Sequence, residues 1–404
     1  MQTGARYQAC LELISEIFKD EKTADGMINE YMRSRKYIGS KDRRFINDLV
    51  WHLIRNRRKL EFDAKSQDPR RILLWAVKDK LPEVFDGSQH GLSPLTKEEE
   101  ERLREENEQP YPPAVEAECP DWLFAKIKDI EFCKALNQPA KPDFRAHNHV
   151  RDEVIKRLVQ EGIDVRQTPY SPLGFRSSER ISIGNCTAYQ EGWFEVQDEA
   201  SQIAAILCDA KESEKIIDYC CGAGGKSLAI SELLENRGKI LAYDINAKRL
   251  EAIKPRLQRL GVKNIELTDI IADSDKDFDL FILDAPCSGT GTWRRAPDAK
   301  FRLREDKLAT LKHTQANLLE IAAAKTKTGG RIAYFTCSVL KEEDEDIING
   351  FLAKHPEFAL MDLEKLWAQK IEQPYPHNNP YMLRLSPQTT NTDGFFIAIL
   401  KKQS

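Results

Sequence analysis

Two cysteines close apolar runs in this 404-residue chain: DLFILDA ends in Asp284-Ala285-Pro286-Cys287, and RIAYFTC ends in Cys337. A lone cysteine is usually buried packing, and Cys10, Cys119, Cys133, Cys186 and Cys208 are read that way. Cys287 and Cys337 differ. Each follows an apolar strand, each is followed by serine, and an aspartate stands beside one of them. That combination points to covalent chemistry. The thiolate is the nucleophile, and a free thiol of pKa about 8.5 is only a few per cent ionised at neutral pH, so the site must favour the anion. Helix ends and Arg294 and Arg295 are the candidate sources of a positive field.

A second constellation lies upstream. DYCCGAGGKS (218–227) follows a strand and opens a helix. It fails GxxxxGK[ST] because position 220 is cysteine, and it fits GxGxxG only at Gly222 and Gly224, with Ser227 in the third place. A P-loop ATPase is therefore disfavoured, and a dinucleotide site stays open. What survives is a backbone free to close on a ligand beside a helix N-terminus that favours negative groups. Cys220, Cys221, Gly222, Ala223, Gly224, Gly225 and Lys226 form the candidate cofactor loop. Asp244, ending the next strand, stands where a carboxylate would bond ribose hydroxyls; capping the next helix is the plainer alternative. Asp269, ending NIELTD, is a third contact near an adenine, or a loop cap.

S-adenosylmethionine (SAM) and NAD both carry an adenosine ribose, so these residues alone do not separate them. The thiols do. Hydride transfer leaves both idle, whereas methylation of cytosine carbon 5 requires one. That carbon is too electron-poor to take a methyl group until a thiolate adds at carbon 6 and makes the ring an enamine. Asp284 is the candidate acid for ring nitrogen 3.

These residues need a scaffold. KIIDYC (215–220), KILAYD (239–244), DLFILDA (279–285) and RIAYFTC (331–337) alternate with helical stretches, the cadence of an α/β, doubly wound, mostly parallel sheet that binds ligands at the carboxyl ends of its strands. That catalytic domain spans 196–404. Before it, 139–195 reads as a small α+β subdomain of RNA-recognition type, with strands at KPDFRAHNH, IDVRQTP and RISIG and a helix at RDEVIKRLVQEG. Residues 1–90 read as an all-α domain. Phe45, Ile46, Leu49, Val50 and Leu53 form one helical stripe there, with Ser40 as N-cap. Residues 91–138 are a helical connector, with a Thr96…Glu99 capping box on the acidic run TKEEEERLREENE (96–108) and a short helix at DWLFAKIKDI.

Composition narrows the setting. Charged residues are 31%, mean hydropathy is −0.54, and no apolar run approaches the roughly 18 residues of a membrane span. The N-terminus lacks a signal-peptide core, so the expected location is cytoplasmic. Nine cysteines without CxxC pairs or zinc spacing predict reduced thiols and no metal. The net charge of −4 conceals segregation: residues 33–59 hold ten Lys/Arg against two acids.

At these residues the chain resembles the Sun/RsmB family of RNA cytosine-5 methyltransferases. VQDEASQ (196–202), DYCCGAGGKS, AYDINAKRL, LDAPCSGTG…RRAPD, FTCSVLKEED and TDGFFIAIL match its motifs in order, over about 200 residues. The resemblance implies a Rossmann-like domain that takes SAM. It makes the TCS cysteine, Cys337, the nucleophile, lets the PCS cysteine, Cys287, assist release of the methylated RNA, and puts Asp284 against the base close to the methyl donor. DNA cytosine methyltransferases use a Pro-Cys at this strand as nucleophile; the second thiol at TCS tips the assignment to Cys337. The cofactor loop departs from the family's Ala-Ala-Pro-Gly-Gly-Lys at Ala223, which replaces proline. GSKDRRFINDLVWHLIRNRRKLEF is similar to the family's NusB-like domain and favours 16S ribosomal RNA over transfer RNA. Phosphate contacts are expected from the 33–59 cluster and from Arg294, Arg295, Lys300 and Arg302, on single-stranded or loop RNA, by a monomer. A transfer-RNA methyltransferase and a non-catalytic RNA-binding assembly factor are the competing readings.

Overall fold

The computed structural model describes residues 1–104, 109–148, 150–272 and 275–403. The end of the acidic run (105–108) and the last residue of KPDFRAHNH, His149, lie outside them. The chain divides into two units: 1–138 with 292–304, and 139–291 with 305–404.

Among the described residues, the second unit carries twelve strands in two sheets. β1 (Asp143–Ala146), β2 (Val165–Gln167), β3 (Gly174–Ser177) and β4 (Phe194–Val196) form an antiparallel sheet in the order β2-β3-β1-β4. The helix Arg151–Gln160 covers it through Val154 and Leu158, over a core of Phe144, Phe175 and Phe194. RISIG is not a strand: Ile183–Asn185 is a 3₁₀ turn, and the third and fourth strands lie on either side of it.

The larger sheet comprises β5 (Lys215–Asp218), β6 (Lys239–Tyr243), β7 (Ile265–Thr268), β8 (Phe278–Asp284), β9 (Thr326–Thr336), β10 (Phe358–Leu360), β11 (Met382–Leu385) and β12 (Phe395–Lys402). Its order is β10-β12-β9-β8-β5-β6-β7, with β11 also on β12. Strands β5 to β9 are parallel, and β10 to β12 add antiparallel pairs. The parallel strands read as unbroken apolar runs because both faces are buried. Leu280 and Ile282 of β8 face the helices Glu199–Leu207, Gly225–Leu233 and Ala247–Leu260; Phe281 and Leu283 face Glu305–Lys325 and Glu345–Lys354. Two buried layers thus fix where the strands stop, and every parallel strand stops at the same edge. The mostly parallel sheet with helices on both faces and the small α+β subdomain match the fold read from the sequence.

The first unit is helical. In the helix Ser40–Arg55, Ile46, Val50 and Leu53 are fully buried, with Phe45 and Leu49 packed on their flank. Its N-cap is Gly39, so Ser40 is the first helical residue instead of the cap. Thr96 and Glu99 form the reciprocal capping box.

Candidate active site at the carboxyl edge of the parallel sheet

The glycine loop runs from the end of β5 into the helix Gly225–Leu233. Gly224 takes a left-handed backbone (φ 80°), and a Cβ there would meet Ile253 at 3.1 Å, so glycine answers both demands. Gly222 N–H donates to Asp244 Oδ2 (3.0 Å) and Asn246 N–H to Oδ1 (2.8 Å). Each carboxylate oxygen keeps a lone pair for a further donor. Ala223 supplies no ring to stiffen the loop, and the rest of the unit does that work: Arg256 bonds the Ala223 carbonyl, and Gln197 Nε2 donates to the Gly225 carbonyl at 3.1 Å. Gln197 Oε1 in turn accepts from the buried Arg145 of β1 (2.9 Å). Beneath the loop, Asp218 is fully buried and accepts from Ser227 Oγ at 2.6 Å; burial raises its carboxyl to about 7. Burial likewise pushes the Cys220 and Cys221 thiols well up, which disfavours the thiolate at both.

Lys226, only 5% exposed, points across the edge. Its Nζ lies 2.8 Å from Ser201 Oγ, 3.0 Å from Asp284 Oδ2, and 4.7 Å from the centre of the Phe395 ring. Asp284 keeps about a third of its side chain (35%) open to solvent.

The two cysteines meet. Cys287 and Cys337 are both half-buried, with sulfurs 3.2 Å apart. Cys337 directly follows β9, and its carbonyl accepts Gly291 N–H at 2.9 Å. Gly291 is pressed against Gly394, whose N–H donates to the Gly291 carbonyl (2.9 Å). The hydrogen bond to Cys337 and then burial hold the Cys287 thiol well above its ordinary range. The geometry brings together Asp284, Cys287, Cys337 and Lys226, and sets Asp244 against Gly222 of the glycine loop. Asp269 is exposed at the end of β7.

The expected phosphate contacts fare differently. Lys300 is 1% exposed inside the helical unit, donating to Asn137 Oδ1 at 2.9 Å with Glu118 as its nearest opposing charge; burial lowers its ammonium to about 8. Arg294 is also buried, and its carbonyl accepts from Arg55 at 2.7 Å. Arg302 is half-buried against Asp298 (2.9 Å). Only Arg295 of the four is exposed. Lys300 and Arg294 are thus corrected from surface contacts to interior residues. The 33–59 cluster divides in the same way. Arg43, Arg55, Arg57, Arg58 and Lys59 bond within the unit, while Arg33, Lys36, Lys41 and Arg44 are exposed around the connection that carries Tyr37, itself 73% exposed.

Residues 205–401 match the family described as 16S rRNA methyltransferase RsmB/F. A probable ribosomal RNA small subunit methyltransferase B from Bacillus subtilis is 30% identical over 306 residues, 72% of this chain and 68% of that one. The ribosomal RNA small subunit methyltransferase B of Pseudomonas syringae is 32% identical over 72% of this chain and 67% of its own. The chain belongs to the RsmB/F family. Among solved structures, that of PH0851 superposes with a TM-score of 0.76 and 25% identity over 99% of this chain and 98% of that one. As an RsmB/F-family member the protein is a SAM-dependent methyltransferase. The stretch VQDEASQ (196–202) gains a physical role here. Gln197 holds the glycine loop, Ser201 orients Lys226, and Glu199, fully buried, accepts Tyr170 and Ser171 N–H at 2.7 and 2.9 Å. Two further features were not read from the sequence of this RsmB/F-family enzyme. Ile245 and Ile270, 88% and 74% exposed, follow β6 and β7 beside Asp244 and Asp269. Exposed branched aliphatics at two neighbouring strand ends are apolar faces suited to a purine. Glu343, fully buried, binds both loops that carry the thiols. Neither was legible, because a lone isoleucine and one acid in KEEDED carry no spacing signal. Among the described residues no helix is long and apolar enough to cross a membrane.

Proposed function

We propose that this chain methylates carbon 5 of a cytosine in 16S ribosomal RNA, through a transient bond between Cys337 Sγ and carbon 6 of the base. The observation that carries the reading is the contact of two half-buried sulfurs, 3.2 Å apart, at the strand edge that also bears Asp284 and Lys226. SAM supplies an electrophilic methyl group. The residues fit that cofactor: Asp244 would hold the ribose, the backbone of Cys220 to Lys226 would cradle it, and Ile245 and Ile270 would take the adenine faces, with Asp269 at its edge. Cys337 thiolate adds to carbon 6, and the displaced ring electrons make carbon 5 nucleophilic. Asp284 acts as the acid at the ring's pairing edge: it gives a proton to nitrogen 3 as negative charge develops there, and Lys226 Nζ, held against it, stabilises the carboxylate that remains. Once carbon 5 carries the methyl group, a base, for which water entering the open edge suffices, takes its remaining proton; the C–H electrons reform the ring double bond and Cys337 leaves as thiolate. Cys287, next to that sulfur, assists this release. RNA phosphates meet the exposed cations Arg33, Lys36, Lys41, Arg44 and Arg295.

The test is incorporation of tritiated methyl from SAM into unmodified 16S and transfer RNA, followed by bisulfite sequencing. A new 5-methylcytosine in 16S RNA is expected. Label only in transfer RNA, or none in either, would contradict the proposal.

A further inference from the structure

One carboxylate joins the two loops that carry the thiols. Glu343 is fully buried. Its Oε1 accepts Ser288 N–H at 2.8 Å and Gln315 Nε2 at 3.0 Å; its Oε2 accepts the hydroxyls of Ser288 at 2.5 Å and Ser338 at 2.6 Å. Ser288 follows Cys287 and Ser338 follows Cys337, so one side chain spans both cysteine loops. Gln315, itself fully buried, also donates to the Pro286 carbonyl at 3.0 Å. All four donors to Glu343 are neutral. Its neighbours in sequence are paired differently: Glu342 meets Lys312 at 2.7 Å and Asp344 meets Arg384 at 2.9 Å. A buried carboxylate answered only by neutral groups is costly, and this one sits behind the reacting sulfurs.

We propose that Glu343 is a positioning residue for methyl transfer. It ties the two cysteine loops so that the sulfurs stay in contact, and its charge makes Cys287 the proton donor of that contact and Cys337 the acceptor. The inference rests on reading Cys337 as the nucleophile. The titratable groups acting on Cys287 are Cys337 and Glu343, and Cys287 in turn acts on Tyr334 of β9, whose hydroxyl donates to the Glu343 carbonyl at 2.7 Å. Glu343 makes two bonds to the Cys287 loop, through Ser288 N–H and hydroxyl, and one to the Cys337 loop, through the Ser338 hydroxyl. A thiolate at Cys287 would thus meet more of the carboxylate's charge, whereas a thiolate at Cys337 accepts a hydrogen bond from the Cys287 S–H. The asymmetry between two adjacent thiols therefore comes from a group that touches neither substrate.

Glu343→Gln separates charge from geometry. Its amide oxygen keeps the bonds from Ser288 N–H and Gln315, and the serine hydroxyls rotate to accept from its amide nitrogen. The clamp survives while the charge goes. Limited iodoacetamide labelling of the full-length protein at neutral pH, read by peptide mass, compares Cys287 in 277–294 with Cys337 in 332–341. The wild type is expected to label mainly at Cys337. Glu343→Gln should raise the Cys287-to-Cys337 labelling ratio by about an order of magnitude and, because the thiolate then resides less on Cys337, lower kcat about tenfold, with KM for RNA and SAM within about twofold. Ser338→Ala, which removes one donor and keeps the charge, is the second variant. It should slow kcat and keep the wild-type ratio. A wild-type labelling ratio in folded Glu343→Gln overturns the proposal, as does a raised KM for both substrates with kcat unchanged. If Glu343→Gln does not fold, a Ser338→Ala enzyme with wild-type kcat overturns it. The labelling ratio needs no RNA, so it judges Glu343 even if RNA methylation itself fails to appear.

Discussion

Alanine at position 291 would place a Cβ 2.0 Å from the Gly394 carbonyl oxygen and 2.6 Å from its carbon. Both neighbours are backbone, so neither can rotate away. Relief requires the loop after β8 and the start of β12 to separate, which breaks the Gly394 N–H bond to the Gly291 carbonyl and the Gly291 N–H bond to the Cys337 carbonyl, each 2.9 Å. Overpacking costs about 1–3 kcal/mol and each broken hydrogen bond about 1 kcal/mol, so roughly 3–5 kcal/mol in all. At about 2–4 °C per kcal/mol for a domain of this size, Tm should fall by roughly 6–20 °C. Activity should suffer more than stability does at assay temperature, because a shift of about 1 Å in the Cys337 sulfur costs around a hundredfold in rate. Gly350→Ala is the control. It lies exposed within the helix Glu345–Lys354 with open space at its Cβ, and it should gain up to about 1 kcal/mol. Differential scanning calorimetry and methyl incorporation measure both variants. A Gly291→Ala protein that melts and turns over like the wild type would refute the claim that this backbone crossing fixes the nucleophile.

Asp244→Ala should weaken SAM binding by about 1.5–3 kcal/mol, a charged hydrogen bond's worth, with RNA affinity unchanged by calorimetric titration. Gln197→Ala, which frees the Gly225 carbonyl, should weaken SAM in the same direction but by less. Asp218 titrates near 7 in the fold against about 3.9 unfolded; the folded state therefore binds the extra proton, and its contribution is full below about pH 4 and lost as pH rises through about 7. Asp218→Asn should accordingly melt higher than the wild type at pH 8, the gap closing towards pH 4 in thermal scans. Replacing Arg33, Lys36, Lys41 and Arg44 by serine should flatten the salt dependence of RNA binding by up to about 0.7 in log–log slope for each phosphate no longer neutralised, whereas Lys300→Met, altering a buried residue, should leave the slope alone in filter-binding assays.

The parallel strands were legible because burial on both faces writes them as unbroken apolar runs, and the candidate site could be proposed because the strand ends collect the rare residues. RISIG misled: Ile181 and Ile183 alternate like a strand's buried face, yet they lodge against the small core from a loop and from the 3₁₀ turn that follows it. The antiparallel β10–β12 edge was not drawn from the sequence, since FFIAIL fits a buried helix segment as well as a strand. Charge was the least readable property. A lysine run shows no direction, and Lys300 is interior because Asn137 and Glu118, far back in the chain, close over it. Burial of that kind is decided by tertiary partners, as is the reach of Glu343 to both thiol loops.

The proposed reaction passes through a covalent bond at one sulfur, and a substrate that cannot complete the reaction traps it. RNA carrying 5-fluorocytosine has no proton to lose at carbon 5, so the adduct formed after methyl transfer should persist. After nuclease and trypsin digestion, the nucleotide mass is predicted on peptide 332–341, which contains Cys337. Finding it on peptide 277–294, which contains Cys287, or on neither, would contradict the account.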